Sequence, residues 1–470
     1  MNNASTPLAN LLGVAVRTLN SLAPLKTLQG NSNSQGRRSF DGATARRASG
    51  LGHFGSANAE IAAGHAQVSS RASYLAANNG YVSNGVTNIV TYLAGTGPRP
   101  NVRGESREVT RSIHRRFDSF SADADFHGRT DLGGLIAQIT RDMVVHGEGL
   151  AILHDIDTGL KIQVIPPQHL DGSKSVNLSD GRQIVQGVEF DAKGRRVAYW
   201  IFPEHPSAIF TAQAASVRVD AWDVLHVFHP FSAGQVRGLS WLAPAILPAN
   251  DLNAWKDALL VGAKMGAMQA GFITEASDTG GDEDVFSDPI WEPGSLTRLP
   301  LGATVTFTAP DQIKDAPALL RMTLQEIAAA LGLPEFLLSG DLTSANYSSL
   351  RAGLIPFRSR MEQVQYATLV PQLLRPVWRR WLLTEMLSGQ SDTPIGAAAD
   401  WIFPRPQQVD PAKDLAATEK ALSMGLTSRT AAINELGWNA DDIDEEIKAD
   451  RDREADLGLG FTKTEKPNAA

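Results

Sequence analysis

Along the first third of the chain, apolar residues recur at three- and four-residue steps. Ile61, Val68, Leu75, Val82, Val86, Ile89 and Val90 predict one helix over about 59–93, stopped by Gly95, Gly97, Pro98 and Pro100. Val109, Ile113 and Phe117 predict a second over about 105–120. Leu132, Leu135, Ile136, Ile139 and Met143 predict a third over about 131–146, closed by Gly147. The period then shortens. Residues 150–154, 161–165, 184–190, 197–202 and 224–228 read as strands, with Asp191, Ala192, Lys193 and Gly194 as a hairpin turn.

From 241 to about 269 the pattern is helical again, and about 25 residues of helix span roughly 37 Å at 1.5 Å per residue. Small residues and methionines crowd its second half: Gly262, Ala263, Met265, Gly266, Ala267 and Met268. Such side chains permit close approach of a neighbouring helix. Residues 271–312 read as irregular to β and carry an acidic cluster at Asp282, Glu283 and Asp284. Leu320, Leu324, Ile327 and Leu331 predict a helix over about 316–331, terminated by Gly332 and Pro334. A polar stretch follows at 337–349, with Ser339, Asp341, Thr343, Ser344, Asn346, Ser348 and Ser349. A helical stretch over about 350–387 contains Pro356, Pro371 and Pro376, which predict kinks or breaks. The last helical unit, 411–457, has turns at Gly425 and Gly437 and ends in a strongly acidic helix. No internal repeat is visible. Helices with a mostly antiparallel β region define an α+β fold.

Composition adjusts this picture. Of 470 residues, 43% are hydrophobic and 20% charged, which suits a globular chain with a real core. There is no cysteine, so disulfides and thiolate metal sites are excluded. The start lacks the features of a signal peptide, and no apolar run approaches the roughly 20 residues that span a bilayer, so no membrane role is expected. The net charge is −8, whereas a chain that grips duplex DNA over its whole surface is usually basic. Locally, Arg37, Arg38, Arg46 and Arg47 make residues 1–58 a basic stretch, read as a flexible arm.

Candidate chemistry is sparse. No phosphate-cradling G-x-x-x-x-G-K-[ST] loop, H-E-x-x-H or G-x-S-x-G is present, so no ATP hydrolysis and no cofactor are expected. His226 and His229 read as structural, and His146 and Glu148, flanking Gly147, as a helix terminus. Arg107, Arg111 and Arg115 share a helix face, read as solvated or subunit-contacting. The acidic run 441–456 reads as a solvated face.

Four segments taken together resemble the lambda-type portal family of tailed phages. These are NNGYVSNGVTNIVTYLAGTGPRP at 78–100, HVFHPFSAGQVRGLSWLAPAI from His226, LQEIAAALGLPEFLLSGDLTSANYSSLRAG from Leu324, and GLTSRTAAINELGWNADDIDEEI from Gly425. Gly234, Gln235, Arg237 and Gly238 stand at the second segment's Gly-Gln-x-Arg-Gly. The resemblance spans about 60–456, and the specificity lies in the order and spacing of the motifs rather than in any one of them. It implies a ring of about twelve subunits around a DNA channel. The implied parts are a wing at 59–240 and 350–410, stem helices at 241–270 and 313–336, a clip at 271–312, a channel loop at 337–349, a crown at 411–456 and a tail at 457–470. Gly262, Gly266, Ala267, Leu324 and Ile327 would then pack stem helices between subunits. Asp282, Glu283 and Asp284 would lie in the clip, and the polar residues of 337–349 would face DNA.

The same resemblance implies a homo-oligomer at a capsid vertex, in the virion, assembled in the host cytoplasm. Its implied partners are double-stranded DNA held without sequence preference, a large terminase, a major capsid or scaffold protein, and a head-completion or neck protein. The acidity fits a wall past which DNA slides. Short Ser, Thr and Asn side chains can meet phosphates without reading bases. Two other readings stay open: a different head–neck adaptor, and a hydrolase of head maturation, such as a nuclease or peptidase.

Overall fold

The computed structural model describes residues 54–207, 215–267, 271–274, 296–299, 316–343, 346–389, 396–404 and 410–459. Residues 1–53 of the expected arm, and the acidic cluster Asp282, Glu283 and Asp284, lie outside the described residues. The chain divides into two units, Met1–Phe54 and Gly55–Ala470, and every described helix and strand belongs to the second.

The elements begin with α1 (Ala57–Asn78), α2 (Gly80–Ala94), β1 (Arg99–Arg103), α3 (Arg107–Ala122) and α4 (Leu132–Val145). The single helix expected over 59–93 is two. Asn79 adopts an extended backbone and its side chain accepts from the Val82 amide, which starts α2 afresh. The apolar period runs through this joint without a break, so the period alone does not reveal it.

A β region follows: β2 (Glu148–Ile156), β3 (Gly159–Ile165), β4 (Val176–Asn177), β5 (Gln183–Val185), β6 (Val188–Phe190), β7 (Arg196–Ile201), β8 (Val217–Asp220) and β9 (Val224–Phe228). One antiparallel sheet has the order β3-β2-β9, a second the order β4-β5-β6-β7-β8. The run expected at 184–190 folds back on itself, because Gln186 and Gly187 take positive φ values of 49° and 84°. The expected turn at 191–194 is present. Asp191 Oδ1 accepts from the Lys193 and Arg195 amides, and Gly194 sits at φ 77°.

Then come α5 (Ile246–Ala267), β10 (Gly271–Thr274) paired in parallel with β11 (Leu296–Leu299), α6 (Ala316–Leu331) and the short α7 (Glu335–Ser339). Next, α8 (Tyr347–Val364) runs through a π-helical segment, Gln365–Leu374, directly into α9 (Arg375–Leu387). Of the kinks or breaks expected at the prolines, no break occurs, and the helix changes to a π turn around Pro371. Pro356 lies inside α8, Pro371 inside the π segment, and Pro376 at the second residue of α9, directly after that segment. The wider π turn accommodates Pro371 without ending the helix. Finally β12 (Ala398–Ile402) pairs antiparallel with β1, ahead of α10 (Pro411–Ser423), α11 (Arg429–Glu435) and α12 (Ala440–Leu457).

One core joins α1–α4, the β3-β2-β9 sheet, the start of α5, α6 and the α8–α9 stretch. At its centre Phe117 meets the rings of Trp378, Trp381 and Trp401, edge-on to Trp381 at 5.1 Å. Each such ring pair adds about 0.5–1.5 kcal/mol beyond area burial. A smaller core lies between β2, β3, β6, β7 and β9, around Leu150, Val188 and Tyr199. The described residues thus form a mixed helix and sheet fold.

Candidate channel loop and its supports

The polar stretch 337–349 is shorter as a loop than its composition suggests. Leu337, Leu338 and Ser339 complete α7, and Tyr347, Ser348 and Ser349 open α8. Leu338 is buried, against Gly85 of α2, where an added Cβ would stand 2.9 Å from the leucine Cδ1. Asn84 Nδ2 donates to both the Leu337 and Leu338 carbonyls at 2.9 Å, and Asn88 Nδ2 donates to the Leu337 carbonyl at 2.7 Å. These amides satisfy carbonyls that the end of a helix leaves open. The free stretch is therefore 340–346.

Its polar groups are largely occupied locally. Gly340 caps α7 in the left-handed region at φ 74°. Ser339 Oγ accepts from the Asp341 amide, and Asp341 Oδ1 accepts from the Thr343 amide at 2.9 Å and its hydroxyl at 2.6 Å. The Thr343 bonds hold the Asp341 carboxyl below its ordinary value, and Arg321 pairs with it at 3.7 Å. Asn346 and Ser349 form a reciprocal capping box that starts α8. Ser348 and Leu342 are exposed, and Ser344 lies outside the described residues. The far side is tied to the C-terminal unit, where Arg351 bridges Tyr347 and Asp414.

The expected interface residues fall into two groups. Leu324 and Ile327 point into the chain's own core, at 5% and 0% exposure, so they have no free surface to offer a neighbour. This corrects their expected role. Leu319 and Met322 of α6 are exposed instead. On α5, Gly262 is exposed and an added Cβ would meet nothing within 4 Å, with Leu260 and Val261 exposed beside it. Gly266 and Ala267 continue the same helix.

Charged groups read as solvated are exposed, and some of them also pair within the chain. Arg107 reaches Asp441 at 3.5 Å, and Arg111 pairs with Glu445, so α12 lies along α3 with the same four-residue step on both helices. Arg429 pairs with Asp444.

The Gly-Gln-x-Arg-Gly segment builds a buried cluster that sequence reasoning missed. Glu148 is fully buried, and Arg237 Nε donates to its two oxygens at 2.9 and 3.0 Å, with Nη2 on Oε1 as well. His226 Nε2 and the Gly238 amide donate to Oε2, each at 2.9 Å. Burial alone would raise the Glu148 carboxyl, but these partners hold it well below the usual range. His226 stays low through burial. Gln235 closes the segment, accepting from the Phe231 amide and donating to the Arg237 carbonyl. Gly238 is required by a close approach: its Cβ would stand 2.0 Å from the Gly147 carbonyl oxygen. The expected structural role of His226 and His229 fits, the latter bonding Thr368. The pairing of Glu148 with a guanidinium 89 residues away left no local signal.

Residues 45–365 match the phage portal protein, lambda family, and the chain belongs to that family. A probable portal protein of Halomonas phage phiHAP-1 is 29% identical over 321 residues, which are 64% of this chain. The chain spans 61% of the length of that relative. Two solved structures are also similar, one from the neck of an empty GTA particle and one from the neck of a native GTA particle. The first is 19% identical, with a TM-score of 0.39, over 83% of this chain and 97% of its own. The second is 17% identical, with a TM-score of 0.36, over 78% and 92%.

Proposed function

We propose that this chain is a portal subunit: about twelve copies close a ring at one capsid vertex, around a channel for double-stranded DNA. A terminase motor drives DNA in, the same channel later lets it out, and head-completion or neck proteins attach to the ring. The observation that carries this reading is the family match across 45–365, which takes in α1 through α8. Two features of the fold support it. Apolar side chains at Leu260, Val261, Leu319 and Met322 are exposed on α5 and α6, where a ring would cover them. The loop 340–346 stands between two anchored helix ends, a place from which a short polar segment can face a channel.

In this reading α5 and α6 are the stem, 271–312 the clip, 340–346 the channel loop, and α10–α12 the crown. The ring acts structurally, in the virion, and takes its energy from the separate motor. The chain's −8 charge, repeated about the axis, keeps the wall from gripping DNA. Electron microscopy of the purified chain tests the proposal. A ring of about twelve subunits with an open centre is expected, and a monomer that hydrolyses nucleic acid or peptide would overturn it.

A further inference from the structure

The C-terminal helices α10–α12 sit on the body of the chain without sharing its core. Among the described residues, none after Phe403 belongs to either hydrophobic core. Helix α10 buries no side chain, and α11 and α12 bury only Ala432 and Ala440. Leu415, Met424, Leu426 and Trp438 are exposed. A space of about 1450 Å³ lies between these helices and the body. It is lined by Leu354, Ile355 and Phe403 from the body and by Leu415, Leu422 and Trp438 from the C-terminal helices. Little apolar surface is removed from water across this boundary, so apolar packing does little to hold the helices in place.

Charges span the boundary instead. Arg107 of α3 reaches Asp441 of α12 at 3.5 Å, and one turn further Arg111 pairs with Glu445. Arg351 of α8 meets Asp414 of α10 at 2.9 Å, and the Lys413 ammonium lies 5.2 Å from the centre of the Tyr347 ring. The four side chains of the α3–α12 pairs are between 49% and 74% exposed, so salt reaches them freely. One exposed pair shifts an equilibrium by about fivefold at most. Two pairs a turn apart on the same two helices form and break together, and their effects multiply.

We propose that α10–α12 are latched to the body by charge. When the Arg107–Asp441 and Arg111–Glu445 pairs are screened, α12 parts from α3 while the body keeps its core and α10–α12 keep their helices. The latch lets the C-terminal helices change position at no cost to the folded body. It does not depend on closure of a ring.

The test measures the distance between α3 and α12 in the full chain. The sequence has no cysteine, so Ser119→Cys on α3 and Lys448→Cys on α12, both exposed, give two unique sites for nitroxide labels. Labelled chains are diluted into unlabelled chains, so that each distance comes from one subunit, and are read by pulsed electron paramagnetic resonance. At about 0.1 M sodium chloride, where charges act over about 10 Å, one short distance is expected. At about 1 M, where the range falls to about 3 Å, a longer and broader population should grow at least fivefold. Arg111→Glu should produce that population already at the lower salt, and the exchanged pair Arg111→Glu with Glu445→Arg should restore the short distance. Circular dichroism should show unchanged helix content throughout. An unchanged distance at high salt, or in Arg111→Glu, overturns the latch. Failure of the exchanged pair to restore the short distance overturns the role of this ion pair. Loss of helix in step with the distance change would mean that the C-terminal helices unfold rather than move, which also overturns the proposal. The salt series on the labelled parent stands without either charge variant.

Discussion

At the residue scale the chain depends on a few buried polar groups. Removing Arg237 would strand Glu148 in the core with His226, the Gly238 amide and, at 3.6 Å, His65, but without its guanidinium. Breaking one side of a buried pair costs about 3–5 kcal/mol, because the remaining charge is uncompensated. Arg237→Ala should therefore lower stability by that order in urea unfolding, while the paired change Glu148→Met with Arg237→Met should recover much of it. The pH dependence follows from the direction of the shift. Glu148 is held well below its ordinary value, so its contribution is complete above the unfolded carboxyl pKa and disappears as pH falls through the depressed folded one. Asp142 works the opposite way. Burial pushes it up to about 7 from 3.8, so between those values the unfolded chain is ionised while the folded chain keeps its proton. Stability falls as pH rises across that window and is flat above it. Asp142→Asn should thus match the parent near pH 3 and exceed it near pH 8, by on the order of 2 kcal/mol, since part of the side chain reaches water. Thermal unfolding at the two pH values decides this. Equal stability at both would show that Asp142 ionises freely.

At the element scale the boundaries of the loop decide what a deletion can test. Removing 343–346 would take away Asn346 and with it the capping box of α8, worth about 1 kcal/mol, so a defect would mix two causes. Removing 342–345 spares both the cap and the Leu338 anchor. That variant should assemble as the parent does but package or retain less DNA in an assembly reaction. Full packaging would take the loop out of contact with DNA. Much of this architecture was legible from the chain. The α6 boundaries followed from Leu320, Leu324, Ile327 and Leu331 with Gly332, and the hairpin at 191–194 from its turn residues. The features that were not legible depend on tertiary partners. Asn79 breaks α1 from α2 partly because its side chain also bonds Asn253, and the π turn at Pro371 is held by Gln365, which donates to the Tyr92 and Leu93 carbonyls. The helical period of Leu324 and Ile327 identified a buried face correctly, but not whose core it faces. For the loop, hydroxyl-rich composition pointed to 337–349, while the asparagine bonds that shorten it come from α2, some 250 residues earlier in the chain.

At the scale of the whole molecule, a ring makes a demand that one subunit does not. A helix face that is exposed and apolar in the monomer must be covered in the assembly, and α5 offers such a face at Leu260, Val261 and Gly262. Gly262 separates assembly from folding. A Cβ there meets nothing within 4 Å, so a large side chain causes no clash inside the subunit. Leaving glycine also favours the helix, by about 1 kcal/mol on intrinsic propensity. Gly262→Arg should therefore keep or slightly raise the melting temperature of the separated subunit. In a ring the same arginine would place a charge and a long side chain where a neighbouring helix must approach closely. Burying that charge without a partner costs several kcal/mol at each interface around the ring. Sedimentation velocity should show the variant as a folded subunit, or as short open assemblies, under conditions in which the parent closes. Closed rings of normal size from Gly262→Arg would place α5 away from the subunit contacts and leave α6, through Leu319 and Met322, to carry them.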